Sequence, residues 1–126
     1  MVNLDFSKNK DNLIPAIAQD YKTGEILMLA YINEEAFQKS VKSGTAHYWS
    51  RSRNKIWMKG ETSGHIQKIH EILVDCDGDT VVYKVDQIGG AACHKGYGSC
   101  FYRAVENNSL KVIADLIFDP DEVYTK

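Results

Sequence analysis

The stretch QKIHEILVDCDGDTVVYKVDQ, residues 67–87, decides the fold that the sequence predicts. Apolar and β-branched residues partly alternate with polar ones on both sides of Asp77-Gly78, a pair favoured in two-residue turns. We therefore predict a β-hairpin with strands at residues 67–76 and 80–87. The remaining elements are predicted from the residues before and after this hairpin.

Four more strands are predicted before the hairpin. Apolar runs at residues 13–19 and 25–31 flank a polar turn in which Gly24 takes the positive φ angle. Residues 45–50 and 56–59 flank a second polar turn, and their aromatic and β-branched residues favour strands. Strands therefore dominate the prediction.

One helix is predicted between the second and third strands. Asn33 is a favoured N-cap residue, and Glu34 and Glu35 would lie in the first turn, where the helix dipole stabilises anions. Lys42 and Gly44 are typical of a helix end. The sequence thus predicts a helix at residues 34–43.

The remainder of the chain predicts a loop and one more strand. Four glycines in residues 89–99 indicate a loop, and residues 101–105 are expected to return to the sheet. Residues 107–126 match no motif and are assigned only to packing.

The expected fold is β-rich α+β, with one main helix and a small mixed sheet that forms a roll or pseudo-barrel. No linker is evident, so residues 1–126 are predicted to form one domain.

The composition narrows the classes of function. Hydrophobic residues make up 44% and charged residues 25% of the chain, and the net charge is −2. This charge provides no overall attraction to nucleic acid or to an anionic membrane. The first residues lack the apolar run of a secretion signal. We expect a cytoplasmic protein whose cysteines remain reduced thiols or metal ligands.

Three cysteines are the strongest chemical signal. Cys76, Cys93 and Cys100 lie within 25 residues, beside a charged hairpin tip and a glycine-rich loop. A lone cysteine is usually a small buried hydrophobe, but these surroundings are unlike a core. Three thiolates with a fourth position open to water are the ligand pattern of a catalytic zinc site.

His94, next to Cys93, has two possible roles. It could close the zinc site as a fourth ligand, or it could transfer protons near neutral pH beside an open site. The first role would be that of a non-catalytic, zinc-stabilised binding module, and the second that of an enzyme.

The acidic cluster, which we define as Asp75, Asp77 and Asp79, is a second candidate metal site. Alternate residues of an extended chain share a face, so the three carboxylates could converge while Cys76 points away. Hard oxygen ligands suit Mg²⁺, which often also contacts substrate phosphate. The alternative is a solvated acidic turn.

Basic and hydroxyl side chains could bind phosphate. Arg51, Arg53 and Lys59 surround one turn, Arg103 follows Cys100, and a Thr62-Ser63-Gly64 segment lies nearby. Arginine matches phosphate geometry with two parallel hydrogen bonds. A solvated strand surface would have the same composition.

Five motifs in one order resemble the phosphoribosyl-AMP cyclohydrolase family of histidine biosynthesis over roughly residues 10–105. They are YWSRSR at 48–53, KGETSG at 59–64, VDCDGD at 74–79, ACH at 92–94 and SCFYR at 99–103. The resemblance implies Zn²⁺ on Cys76, Cys93 and Cys100, and Mg²⁺ on the acidic cluster. It also implies a homodimer with the site near the interface.

The implied activity is zinc-dependent hydrolytic opening of an adenine ring. The N1–C6 bond of 1-(5-phosphoribosyl)-AMP, a cyclic amidine C–N bond, would be cleaved to a formimino aminoimidazole carboxamide ribotide, the third step of histidine biosynthesis. Zinc would generate hydroxide for attack at C6, and His94 is our candidate for moving the proton to N1. The predicted ligands of this nucleotide substrate are Trp49, Arg51, Arg53, Lys59, Thr62, Ser63 and Arg103.

Overall fold

The computed structural model describes residues 2–118, which form two β-sheets and one helix. The main sheet contains β1 (Ile14–Asp20), β2 (Ile26–Ile32), β3 (His47–Ser50), β4 (Lys55–Met58), β5 (Gln67–Val74) and β6 (Val81–Gln87). The helix is α1 (Glu34–Ser43), and a separate hairpin consists of β7 (Arg103–Glu106) and β8 (Ser109–Val112). The β-rich α+β prediction is confirmed.

The main sheet is mixed and curls into a half-barrel. Its strand order is β4-β3-β2-β1-β6-β5, and every neighbouring pair is antiparallel except β1 and β6. That parallel pair, with Ala16 opposite Val81 and Asp20 opposite Val85, joins the early strands to the β5–β6 hairpin. Sequence neighbours thus form both halves of the sheet, which are joined by the β1–β6 pairing and by an antiparallel bridge between Thr45 and Lys68.

The core lies between the helix and one face of the sheet. Side chains at alternate positions of β1 and β6 are buried, which is the period-2 pattern of a strand with one covered face. Ala36 and Phe37 of α1 belong to the same buried cluster. The helix begins as predicted, because the Asn33 side chain accepts a hydrogen bond from the Ala36 N–H at 2.8 Å. It ends at Gly44, whose φ is 75°.

The turn of the β5–β6 hairpin differs from the prediction. β5 ends at Val74, and the Gly78 N–H donates to the Asp75 carbonyl at 3.2 Å, so Cys76 and Asp77 occupy the centre of the turn. The predicted two-residue Asp77-Gly78 turn is therefore wrong. The reason is that the Asp75 side chain accepts from the N–H groups of Asp79 and Thr80, which stabilises a longer connection.

The prediction that residues 101–105 return to the main sheet is also wrong. Among residues 2–118, β7 pairs with β8 alone, in a hairpin whose turn residues Asn107 and Asn108 have φ angles of 51° and 65°. Positive φ at both central residues is the signature of the turn that favours a tight hairpin, and asparagine tolerates it. The local Asn-Asn turn therefore pairs β7 with the residues that follow it.

The glycine-rich loop, residues 89–99, follows β6 as predicted and contacts the segment after β8. Ile117 donates its N–H to the Gly96 carbonyl at 2.6 Å, and a Cβ on Gly96 would lie 2.1 Å from the Phe118 carbonyl oxygen. The part of residues 107–126 that is described therefore includes a strand, β8, and a packing contact; residues 119–126 lie outside the described residues. Within residues 2–118 no helix is long and apolar enough to cross a membrane.

Candidate functional site

A cavity of about 370 Å³ lies beside the end of β4, and we call it the β4 cavity. It is lined by residues 57–63 together with Ser50, Ser52, Arg53 and His94. Four predicted site residues of the basic and hydroxyl groups meet here, namely Arg53, Lys59, Thr62 and Ser63. The cavity combines positive charge, hydroxyl groups and an imidazole, which suits an anionic ligand that undergoes proton transfer.

The chain makes a tight turn to form one wall of this cavity. Gly60 has φ 88°, and a Cβ there would lie 2.4 Å from the backbone of His65 and Ile66. The Gly64 N–H donates to the Gly60 carbonyl at 2.7 Å, which closes the loop. Only glycine fits this position, so Thr62 and Ser63 are held at the cavity by backbone geometry.

Lys59 connects the cavity to the glycine-rich loop. Its half-buried ammonium donates a hydrogen bond to the Ala92 carbonyl at 2.5 Å. Burial lowers the pKa of Lys59, and the charges of Cys100 and Cys93 oppose that effect. Lys59 therefore interacts electrostatically with both thiols.

Cys93 and Cys100 lie together at one end of the main sheet. Cys93 is buried and accepts the Lys95 N–H at its sulfur at 3.4 Å. The Cys100 N–H donates to the Leu27 carbonyl of β2 at 2.7 Å. Although Cys100 is exposed as a residue, burial of its thiol and the neighbouring Cys93 thiol raise its pKa to about 11.

Cys76 lies at the opposite end of the sheet from these two thiols. It precedes Val81, the first residue of β6, whereas Cys93 and Cys100 follow Gln87, the last. A seven-residue strand separates its ends by about 20 Å. Within residues 2–118 the three thiols do not form a group of three ligand atoms.

The donor chemistry of the cysteines fits zinc, because thiolates are the preferred ligands of this metal. Two sulfurs are adjacent, and one of them already accepts a backbone N–H, as sulfur ligands of metals commonly do. Within residues 2–118 the Cys76 thiol does not join this pair.

The acidic cluster does converge, with one carboxylate oxygen of each residue within 4.8 Å of the others. Asp75 and Asp77 are in the turn and Asp79 follows it, so the turn, and not an extended strand, brings them together. Lys8 contacts the cluster, with its ammonium 2.7 Å from Asp77 and 3.1 Å from Asp79. Three carboxylates against one ammonium leave a net negative site of hard oxygen atoms, as Mg²⁺ prefers.

The pKa values of Asp77 and Asp79 in the acidic cluster shift in opposite directions. The hydrogen bond from Lys8 lowers the pKa of Asp77 to about 2. For Asp79 the effect of Lys8 is outweighed by the two neighbouring carboxylates, so its pKa is raised. The hydrogen bonds to Asp77 and Asp79 raise the pKa of Lys8 above its ordinary value. The cluster thus attracts a cation, and the chain supplies one of its own.

Three predicted ligands lie away from the β4 cavity. Trp49 and Arg51 line a separate cavity of about 290 Å³, where the Arg51 guanidinium lies 4.2 Å from the centre of the Tyr31 ring. Arg103 is on β7, with its guanidinium 5.2 Å from the centre of the Tyr102 ring. A single chain therefore presents the predicted substrate ligands on more than one surface.

Two charged residues, Glu61 and Lys8, are among the residues of these sites that did not emerge from the sequence. Glu61 lines the β4 cavity, and its position between Lys59 and Thr62 was the available signal. Lys8 contacts an aspartate 69 residues away, and no local pattern encodes such a pairing.

The comparisons with known proteins agree with one another. The family model described as phosphoribosyl-AMP cyclohydrolase matches residues 28–102. A phosphoribosyl-AMP cyclohydrolase from Desulfotalea psychrophila is 60% identical over 124 residues, which cover 98% of both chains. Proteins of the same name from Desulfatibacillum aliphaticivorans and Methanothermobacter thermautotrophicus are 56% and 55% identical, covering 100% and 98% of this chain and 100% and 91% of their own length.

Proposed function

The chain belongs to the phosphoribosyl-AMP cyclohydrolase family, and we propose that it opens the adenine ring of phosphoribosyl-AMP by hydrolysis in histidine biosynthesis. The observation that carries this proposal is the match to relatives of that name over the whole chain. These relatives are named as enzymes, which favours catalysis over the predicted alternative of a zinc-stabilised binding module.

The finer proposal concerns the bond that breaks. Water adds its oxygen to C6 of the adenine ring, the N1–C6 bond breaks, and N1 gains a proton. The former exocyclic nitrogen stays on C6 as a carboxamide, so ammonia is not released. His94 lines the β4 cavity, and we assign to it the transfer of the proton from water to N1.

Three other residues of the cavity are assigned to substrate binding. Arg53 would form paired hydrogen bonds with a phosphate, and the hydroxyls of Thr62 and Ser63 would donate to the same group. Because the phosphates are remote from C6, binding energy gained there positions the ring for reaction. Roles for Trp49, Arg51 and Arg103 in substrate binding stay predictions.

The proposed zinc ligands are Cys76, Cys93 and Cys100. When bound there, zinc would act as a Lewis acid that lowers the pKa of water toward neutrality. The acidic cluster is the proposed Mg²⁺ site, supported by the convergence of its three carboxylates. A metal at the cysteine site would place positive charge beside the reacting water. A metal at the acidic cluster would place positive charge beside a substrate phosphate.

We propose a homodimer because one chain cannot bring Cys76 to the other two thiols. A second copy could supply its Cys76 to the Cys93–Cys100 pair of the first copy. The first copy would supply Cys76 to the second in the same way, as a twofold arrangement requires. Exposed apolar side chains support such a contact: Val105, Leu110, Val112 and Ile113 are 79%, 60%, 51% and 61% exposed.

Mixing two inactive variants tests the shared site. If each site combines Cys76 of one copy with Cys93 and Cys100 of the other, a heterodimer of Cys76→Ser and Cys93→Ser chains holds one intact site. Re-equilibrated mixtures should then regain about a quarter of the parent activity, because half of the dimers are mixed and each has one site of two. No recovery from a mixture with confirmed chain exchange would place all three cysteines of a site in one chain.

The activity itself is tested by ultraviolet absorbance, because ring opening changes the purine chromophore. Purified protein with Zn²⁺ and Mg²⁺ should convert phosphoribosyl-AMP, and a zinc chelator should stop the change. A His94→Ala variant should retain its zinc and lose about 10²-fold or more in turnover. Folded, zinc-loaded protein without turnover would favour the binding module, and loss of zinc in the variant would make His94 a ligand.

A cytoplasmic location stays a prediction from the composition, as does the expectation that the protein binds no nucleic acid. Salt-sensitive binding to DNA or RNA would contradict the second.

A further inference from the structure

Lys59 is predicted from the sequence as a phosphate ligand, yet its ammonium is already engaged with the protein. It donates to the Ala92 carbonyl at 2.5 Å, and Ala92 directly precedes Cys93. Ala92 is almost fully buried, and its own N–H donates to the Gly98 carbonyl at 3.2 Å. Lys59 therefore contacts the glycine-rich loop at the residue that directly precedes Cys93.

Within the described residues, no carboxylate forms an ion pair with the Lys59 ammonium. The side chain is nevertheless half-buried. A buried ammonium without an anion nearby is unfavourable. The groups that interact electrostatically with Lys59 are the thiols of Cys93 and Cys100, which become anions when they bind a metal.

We propose that Lys59 is a positioning residue for the zinc site, and this inference rests on the proposed function. Its hydrogen bond fixes the Ala92–Cys93 segment, and its charge balances the metal centre. Three thiolates around one Zn²⁺ carry one net negative charge, so a single adjacent ammonium neutralises the group.

This role makes a different prediction from phosphate binding. A phosphate ligand acts only when substrate is present, so its loss raises KM and leaves the metal site unchanged. A positioning residue acts in the substrate-free protein, so its loss weakens zinc binding, and groups that support metal ligands typically contribute about 10- to 100-fold in affinity. Zinc affinity measured without substrate therefore separates the two roles.

The experiment compares Lys59→Met with Lys59→Arg and with Lys68→Met, an exposed lysine of β5 outside the cavities described above. Zinc dissociation constants are measured by competition with a chelator, and the visible spectrum of Co²⁺-substituted protein reports the thiolate ligands. We expect Lys59→Met to bind zinc about 10- to 100-fold more weakly with altered Co²⁺ bands. The arginine variant should restore most of the affinity, and Lys68→Met should equal the parent.

Hydrogen exchange in metal-free protein supplies a second measurement that needs neither zinc nor substrate. The Cys93 N–H donates to the Tyr97 carbonyl at 3.1 Å, and it should exchange faster in Lys59→Met if Lys59 anchors this segment. Thermal unfolding of the metal-free variants shows that the fold is retained.

The outcomes separate this inference from the function on which it rests. If Lys59→Met binds zinc like the parent, keeps slow exchange at Cys93 and only raises KM, Lys59 is a phosphate ligand and the inference is overturned. If the parent itself binds no zinc, the proposed function fails, and unchanged exchange would then also refute the anchoring role.

Discussion

A buried hydrogen-bonded chain connects the core to the strand ends near the glycine-rich loop, and removing its first member should destabilise the protein. The Tyr48 hydroxyl donates to Gln67 Oε1 at 2.6 Å, and Gln67 Nε2 donates to Gln87 Oε1 at 2.9 Å. Gln87 Nε2 in turn donates to the His65 carbonyl at 2.8 Å. Tyr48 and Gln67 are both fully buried, so Tyr48→Phe leaves Gln67 Oε1 without this donor and without access to water.

The magnitude follows from the cost of an unsatisfied buried acceptor. Leaving such a group unpaired costs about 1–3 kcal/mol of the free energy of unfolding. For a chain of 126 residues, each kcal/mol lowers Tm by about 4 °C. Tyr48→Phe should therefore lower Tm by about 4–12 °C.

Tyr83 provides a matched control because it is a second fully buried tyrosine in the same core cluster. Among residues 2–118 its hydroxyl makes no hydrogen bond of normal geometry; burial raises its pKa to about 12, opposed by a weak interaction with Ser40, whose own hydroxyl is already paired with backbone groups. Tyr83→Phe removes a hydroxyl of the same size but leaves no acceptor unpaired. Its stability should equal or exceed that of the parent.

Urea unfolding measures both variants, with far-UV circular dichroism as the signal and a fixed protein concentration because assembly would affect the midpoint. We expect a lower urea midpoint than the parent's for Tyr48→Phe and an unchanged or higher midpoint for Tyr83→Phe, with equal m-values. Equal destabilisation of both variants would refute it, since the loss would then come from packing volume and not from the unpaired acceptor.

Three further predictions follow from contacts in the structure. Lys8→Met should strengthen Mg²⁺ binding to the acidic cluster by about two- to fivefold at low salt, measured by calorimetry, because an exposed competing cation is removed; unchanged affinity would mean that the lysine does not compete. Gly96→Ala should lower Tm far more than Gly44→Ala, because both have positive φ but only the former places a Cβ against the Phe118 carbonyl. The pKa of Asp20 is lowered, chiefly by a hydrogen bond from the Thr23 N–H, so its stabilising effect is present above pH 3.8 and is lost as the pH falls below that value. Denaturation midpoints of Asp20→Asn and the parent should thus differ above pH 3.8 and converge as the pH falls further below that value, and a constant difference would contradict this assignment.

Local sequence determined most of the secondary structure. The helix has the predicted bounds because its start and stop depend on neighbours within four residues, Asn33 at one end and Gly44 at the other. The hairpins of the main sheet follow from apolar runs beside turn residues. The β7–β8 hairpin is encoded in the same way, by Asn107-Asn108, whose positive φ angles pair β7 with β8 in place of the predicted return to the main sheet.

The composition of the candidate sites was also in the sequence, because thiols, carboxylates and guanidinium groups are recognisable wherever they lie. Their arrangement was not. β6 separates Cys76 from Cys93, and the parallel pairing of β1 with β6 places the start of β2, which contacts Cys100, at the same end of the sheet as Cys93. That pairing depends on which apolar faces pack together in the core. The contact of Lys8 with the acidic cluster likewise depends on the path of the whole chain. The sequence determines which chemical group each residue carries, whereas the distances between residues remote in the chain are determined only when the sheet packs around its core.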